Sequence, residues 1–214
     1  MQILGQVEAE KPSILSVFRL MFSLKPAFAT LTAVLIIVGV FGFSQSSLPG
    51  DPLYYVKRIS ERSRMFFVAN DKKPEIQLEI ANKRLTELTQ IAETNQVKKL
   101  APALEEYQAS IVQASKDLAK LIATTSDAEA VKKIAEQAQK LEQNKEILSK
   151  TYGIAGLEGS EEANPTKLVV GWLINDLKKR TLTEEQTVLL IGADNYYQAG
   201  DYNQALEQIL EINK

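Results

Sequence analysis

The chain has 214 residues, 25 basic and 27 acidic, for a net charge of −2, so no global basic bias points to nucleic acid. It has no Cys and no His, which excludes disulfides, thiolate chemistry, imidazole bases and most zinc sites. Residues 1–50 are apolar and charge-poor, whereas 51–214 are rich in Glu, Lys, Gln, Ala and Leu, the composition of long amphipathic helices.

Residues 1–25 hold Lys11, Arg19 and Lys25 around the stretch Ile14–Phe22, which is amphipathic enough to lie on a membrane surface or to extend the following helix. From Pro26 to Gly50 there is no charged residue, and Ala27 to Phe43 is nearly continuously apolar. A helix of that length approaches the thickness of a bilayer core. We therefore expect a transmembrane helix over 26–44. A cleaved signal peptide and a buried core helix are the alternatives. The basic residues before the run predict a single-pass protein in the cell membrane, with residues 1–25 cytoplasmic and the remainder extracytoplasmic.

Asp51-Pro52 reads as an N-cap followed by proline at the first helical position. The helix runs to about Val68, with Val56, Ile59, Ser63 and Phe66 on one face. Asn70 to Pro74 divides it from a second helix, on which Leu78, Ala81, Leu85, Leu88 and Ala92 recur at spacings of three and four. After a turn at Thr94-Asn95 comes the longest pattern: Leu100, Leu104, Tyr107, Ile111, Ala114, Leu118 and Leu121. Ser126-Asp127-Ala128-Glu129 forms a capping box for a fourth helix. The seam of that helix is Val131, Ile134, Ala138, Leu141 and Leu148, interrupted by Lys145. These spacings favour an intramolecular bundle of long antiparallel helices over 51–152, with a dimer seam as the alternative.

Three glycines between Gly153 and Gly159 mark a linker, 153–164, before a C-terminal helical hairpin region, 165–214. Asn164-Pro165 caps one helix and Thr183 to Gln186 form a second capping box. Gly200 closes that helix and Asp201 opens the last, with Gln204 at the box position. The expected fold class is all-α.

Among chemically attractive residues, Tyr54, Lys57, Arg58 and Glu61 occupy neighbouring turns of one helix face, where salt bridges with one another are expected. Asp51 meets the helix dipole. Lys57, Arg58, Arg62 and Arg64 could also touch anionic lipid. Trp172 reads as core or, if exposed, as a binding anchor. No phosphate-cradling loop, nucleophile elbow or metal-ligand spacing occurs, so we expect no catalytic residue, cofactor or metal.

The entry Leu48-Pro49-Gly50-Asp51-Pro52-Leu53-Tyr54-Tyr55-Val56-Lys57 and the helix Leu78 to Leu88, with Ala81, Arg84, Leu85 and Glu87, resemble an uncharacterised bacterial family. In that family a domain of unknown function directly follows a transmembrane helix. The resemblance covers roughly residues 25–125 and implies an all-helical extracytoplasmic domain with no established reaction. On it, Leu48, Pro49, Gly50, Asp51, Leu53, Tyr54, Lys57, Glu61, Arg84 and Leu85 form the family motif and the joint to the anchor. Some relatives carry a zinc-binding anti-sigma module before the span, but residues 1–25 have no His or Cys to build one. The stretch Leu190 to Leu206 is similar to the centre of a single tetratricopeptide repeat, with Tyr196, Tyr197 and Tyr202 as candidate protein-binding residues. The expected function is that of a membrane-anchored interaction or signal-transmitting module, contacting the lipid bilayer and a protein partner in the envelope. The alternatives are an anti-sigma-like regulator and an enzyme acting on an envelope substrate.

Overall fold

The computed structural model describes residues 30–125, 127–157 and 163–212. The expected cytoplasmic segment 1–25 and the first residues of the expected span lie outside the described residues. The chain divides into two compact units, Met1–Ser46 and Ser47–Lys214.

In the first unit the described helix, α1, covers residues 30–44. Fifteen residues rise only about 22 Å, against about 30 Å of bilayer hydrocarbon. Among the described residues no helix is long and apolar enough to cross a membrane. This corrects the expected transmembrane helix over 26–44. The helix ends on hydroxyls: Ser44 Oγ donates to Phe41 O at 2.8 Å and Ser46 Oγ to Phe43 O at 3.1 Å. Those bonds satisfy carbonyls that the terminating helix leaves without partners.

The second unit contains α2 (Tyr54–Phe66), α3 (Lys73–Glu93), a short 3₁₀ turn (Val97–Lys99), α4 (Leu100–Ile122), α5 (Ala128–Tyr152), α6 (Pro165–Leu177), α7 (Glu184–Gln198) and α8 (Tyr202–Ile212). Helices α3 and α6 each pack between α4 and α5, so the four form a bundle with α3 opposite α6. Leu78, Leu85, Leu88, Tyr107, Leu118, Ile134, Leu141 and Leu148 fill it. These are the positions that the three-and-four spacing selects, and they face inward, so the seam is intramolecular.

Not every pair is antiparallel. Asn82 Nδ2 on α3 donates to Gln137 O at 3.1 Å, Asn144 Nδ2 donates to Asn82 Oδ1 at 3.0 Å, and Tyr152 Oη donates to Glu93 Oε1 at 3.2 Å. The partners ascend together along both helices, so α3 and α5 are parallel. Two short connections with α4 between them impose that direction.

Local chemistry sets the helix ends. Asp127 caps α5, accepting from Glu129 N and Ala130 N at 3.0 and 3.2 Å, and Ser126 lies outside the described residues. Gly153 ends α5 in the left-handed region, at φ 64°. The first residues of the expected linker are anchored: Leu157 is buried, its carbonyl accepts from Tyr107 Oη at 3.1 Å, and Gly156 O accepts from Gln108 Nε2 at 3.0 Å. Residues 158–162 lie outside the described residues. Asn164 caps α6, the Thr183/Gln186 box caps α7 and Asp201 Oδ1 accepts from Gln204 N at 3.1 Å. Helix α8 packs on α5 and α6, and α7 covers α8 and α6, so the hairpin shares the bundle's core.

Candidate functional site

The candidate site is the joint between residues 47–61 and the middle of α3. The turn before α2 is a reciprocal clip. Asp51 N donates to Leu48 O at 2.9 Å, and Leu48 N donates to Asp51 Oδ2 at 2.9 Å. Gly50 makes the turn possible at φ 92°, a region that a side chain resists. Lys99 Nζ reaches Asp51 Oδ1 at 2.5 Å, tying the clip to the α3–α4 connection. The Lys99 and Leu48 hydrogen bonds hold the Asp51 carboxyl below its ordinary pKa. Asp51 therefore does not cap α2 through its side chain. Helix α2 begins three residues later, at Tyr54, with no side-chain cap.

Helix α2 turns an unusual face inward. Its buried residues are Tyr54 and Lys57. Val56, Ile59, Ser63 and Phe66, the apolar face expected from the sequence, point the other way: Phe66 is 83% exposed and Ile59 43%. The reason lies on α3, whose facing residues Arg84 and Glu87 are charged. Lys57 Nζ donates to Glu87 Oε1 at 2.6 Å and to Ser47 O at 3.1 Å. Arg84 Nη1 donates to the same Glu87 oxygen at 2.8 Å, and its Nη2 bonds Glu61 Oε2. Arg58 Nη1 leaves this group and pairs with Glu106 Oε1 on α4 at 2.5 Å. Lys57, Arg58 and Glu61 thus bond across helices to α3 and α4, which corrects the expected pairing along α2.

Three cations, Lys57, Arg58 and Arg84, meet three anions, Glu61, Glu87 and Glu106, so the cluster is neutral. Its centre is dry, with Arg84 at 2% and Lys57 at 6% exposure. Burial disfavours the Arg84 charge, yet the adjacent Glu87 and Glu61 outweigh it and hold the guanidinium pKa above its ordinary value. The Tyr54 ring stacks beneath the cations, its centroid 5.3 Å from Arg84 Cζ and 5.8 Å from Lys57 Nζ. Burial pushes the Tyr54 phenol pKa up, so the hydroxyl stays protonated. Tyr54 Oη, Arg84 Nε and Glu87 Oε2 have no hydrogen-bond partner among the described residues. A cleft of about 380 Å³ with a mixed lining opens beside the cluster, its walls including Arg58, Glu61, Arg62, Arg84, Met65 and Ile80.

Residues 46–151 match DUF5667, a domain of unknown function. No curated protein and no solved structure matches the chain. Both stretches singled out in the sequence fall inside the DUF5667 match, and the fold brings them together. Leu48 and Leu85 are buried in the core, Pro49 is buried, and Asp51, Tyr54, Lys57, Glu61 and Arg84 form the clip and cluster. Leu53 remains on the surface. Sequence reasoning missed Glu87, Glu106 and Lys99 as partners. The available signal was the family-like helix itself, where Glu87 follows Arg84 by three residues and so shares its face.

The C-terminal aromatics lie apart from this site. Trp172 is partly buried against the core. Tyr197 also packs there and meets the Tyr202 ring at a centroid distance of 5.5 Å, while Lys167 Nζ lies 5.9 Å from the Tyr202 centroid. Tyr196 is exposed. The tyrosines are therefore divided between packing and surface rather than gathered around one concavity.

Proposed function

We propose that the DUF5667 domain and its C-terminal hairpin form an interaction module that works by contact rather than turnover, with the outer face of α2 as its contact surface. The observation that supports this reading is the inversion of α2. The charged side is consumed by ion pairs to α3 and α4, and Tyr55, Ile59, Phe66 and Phe67 are left on the outside. Large apolar side chains exposed together in this way characterise interaction surfaces. The cluster supports the same reading. Each of its charged groups is already paired, and its phenol is held neutral, so none is poised as a nucleophile or base. A rigid electrostatic seat that fixes the direction of the α2 face is its most economical role.

Photocrosslinking tests the proposal. A photoreactive residue replacing Phe66 in the full chain in cells should give discrete adducts. The same residue replacing Lys150, exposed on α5, should give none. Equal, diffuse labelling from both positions would end the proposal.

A further inference from the structure

Resting on that reading, we propose that the α2 face docks on the surface of an anionic lipid bilayer, with the helix lying in the interfacial plane. Tyr55, Ile59 and Phe66 follow one another at spacings of four and seven, which places them on one side of the helix. Phe67 extends the patch beyond the helix end, and its ring meets that of Phe66 edge-on at 5.6 Å. Both phenylalanines are more than four-fifths exposed.

The charges around the patch select the partner. Arg62 falls on the same turns as the apolar residues, Arg64 is exposed at the same end, and Lys72 is exposed in the turn that follows. Among the described residues none of the three makes an ion pair, and Asp71 is an acidic neighbour of Lys72 in sequence. A second copy of the same face would oppose arginine to arginine, which disfavours self-association. An anionic surface with an apolar layer beneath it satisfies both parts of the face. Aromatic rings and Ile59 enter the boundary between headgroups and acyl chains, and the arginines extend to the phosphates. The patch is also convex, carried on the outside of a helix that is tied to the bundle by side-chain ion pairs rather than close backbone packing. Such a surface suits a deformable plane better than the groove of a folded protein. Helix α1, directly before it in sequence, likewise exposes Leu35, Ile36 and Phe43.

Because α1 could itself bind lipid, the test reads α2 locally. The chain has no cysteine, so Ser63→Cys, exposed on α2, accepts a single environment-sensitive fluorophore. The full-length labelled protein is mixed with vesicles of phosphatidylcholine alone or with 30% phosphatidylglycerol by design. We expect a severalfold rise in emission on the anionic vesicles only, and no rise from a label at Lys150→Cys. Arg62→Gln with Arg64→Gln should raise the lipid concentration for half-maximal response by about fivefold per arginine. Phe66→Ser with Phe67→Ser should abolish the response while the helical circular dichroism is retained. No rise on either vesicle, an equal rise on both, or a response unchanged by either double substitution would overturn the lipid proposal. If the vesicles give no response while the Phe66 photocrosslink yields a discrete protein adduct, lipid docking fails and the interaction module stands. If both experiments are negative, both proposals fall.

Discussion

Helix α2 and helix α3 share a surface but are stabilised by opposite means. On its other sides α3 buries Leu78, Ala81, Leu85, Leu88 and Ile91 completely, in an apolar interior where neighbours fill one another's gaps. Toward α2 it offers Arg84 and Glu87, and the second helix is held there by charge. The apolar interface draws on burial, which is non-directional and tolerates adjustment. The charged interface pays for desolvation and recovers it only where every partner is in place, so it contributes orientation more than stability. One helix can therefore be fixed in direction while remaining separable from the bundle.

The comparison is broken most severely on the apolar side. Leu85→Ala should cost about 2–5 kcal/mol of global stability, measured by urea unfolding, because a fully enclosed side chain leaves a cavity that rigid neighbours cannot close. Glu87→Ala acts on the charged side. It strips Lys57 of its carboxylate and leaves Arg84 with Glu61 alone. Loss of one partner of a buried pair costs about 3–5 kcal/mol, but the helix can escape that cost by detaching. We expect amide exchange in α2 to accelerate about a hundredfold, with exchange in α3–α5 nearly unchanged. A uniform acceleration through every helix would show that the two interfaces unfold as one.

The bundle was legible because its periodicity and its burial coincide. Ile111, Ala114, Leu118, Val131, Ile134 and Ala138 were selected by spacing alone and lie in the core. The joint was legible only as a set of residues. Lys57, Glu61 and Arg84 were singled out, but their partners are 30 and 23 residues apart in sequence, and helical periodicity carries no information at that range. The α2 stripe of Val56, Ile59 and Phe66 was legible as one face, but its outward direction was not, for a related reason. Amphipathicity identifies two faces, and which one turns inward depends on the helix opposite. Lys145 taught the same lesson on a smaller scale: it interrupts the α5 seam yet is buried, bonded to Glu142 Oε2 at 2.9 Å, while Glu142 Oε1 accepts from Thr166 Oγ1 on α6 at 2.8 Å. The apolar run at 26–44 was read from hydropathy alone, and its helix falls short of a span within the described residues.

A smaller effect sharpens the contrast at the hairpin, where packing is close rather than charged. A Cβ added at Gly171 on α6 would lie 2.9 Å from Tyr197 Oη and 3.3 Å from its Cζ. Gly171→Ala should destabilise by about 1–3 kcal/mol through overpacking. Adding Tyr197→Phe removes the nearest atom and should restore part of that loss in a thermal melt. No coupling between the two substitutions would mean that the helices separate rather than strain.

The smallest effect concerns Asp51, whose contact with Lys99 is partly open to solvent. Its carboxyl titrates below the ordinary 3.8 in the folded chain because Lys99 and the Leu48 amide favour the ionised form. A depressed folded-state pKa stabilises the fold above the unfolded value, and that stability is lost as pH falls through the folded value. The window therefore opens below about pH 4 and leaves neutral pH untouched. Asp51→Asn keeps an oxygen for Leu48 N but removes the charge that Lys99 meets. Because both side chains are about a quarter to a third exposed, solvent screening limits the loss to under about 1 kcal/mol at pH 7. The telling measurement is the difference in urea midpoint between wild type and Asp51→Asn across pH 5 to 2. It should shrink toward zero as the wild-type carboxylate is protonated, and a difference that stayed constant would place the effect in the shape of the turn rather than in its charge.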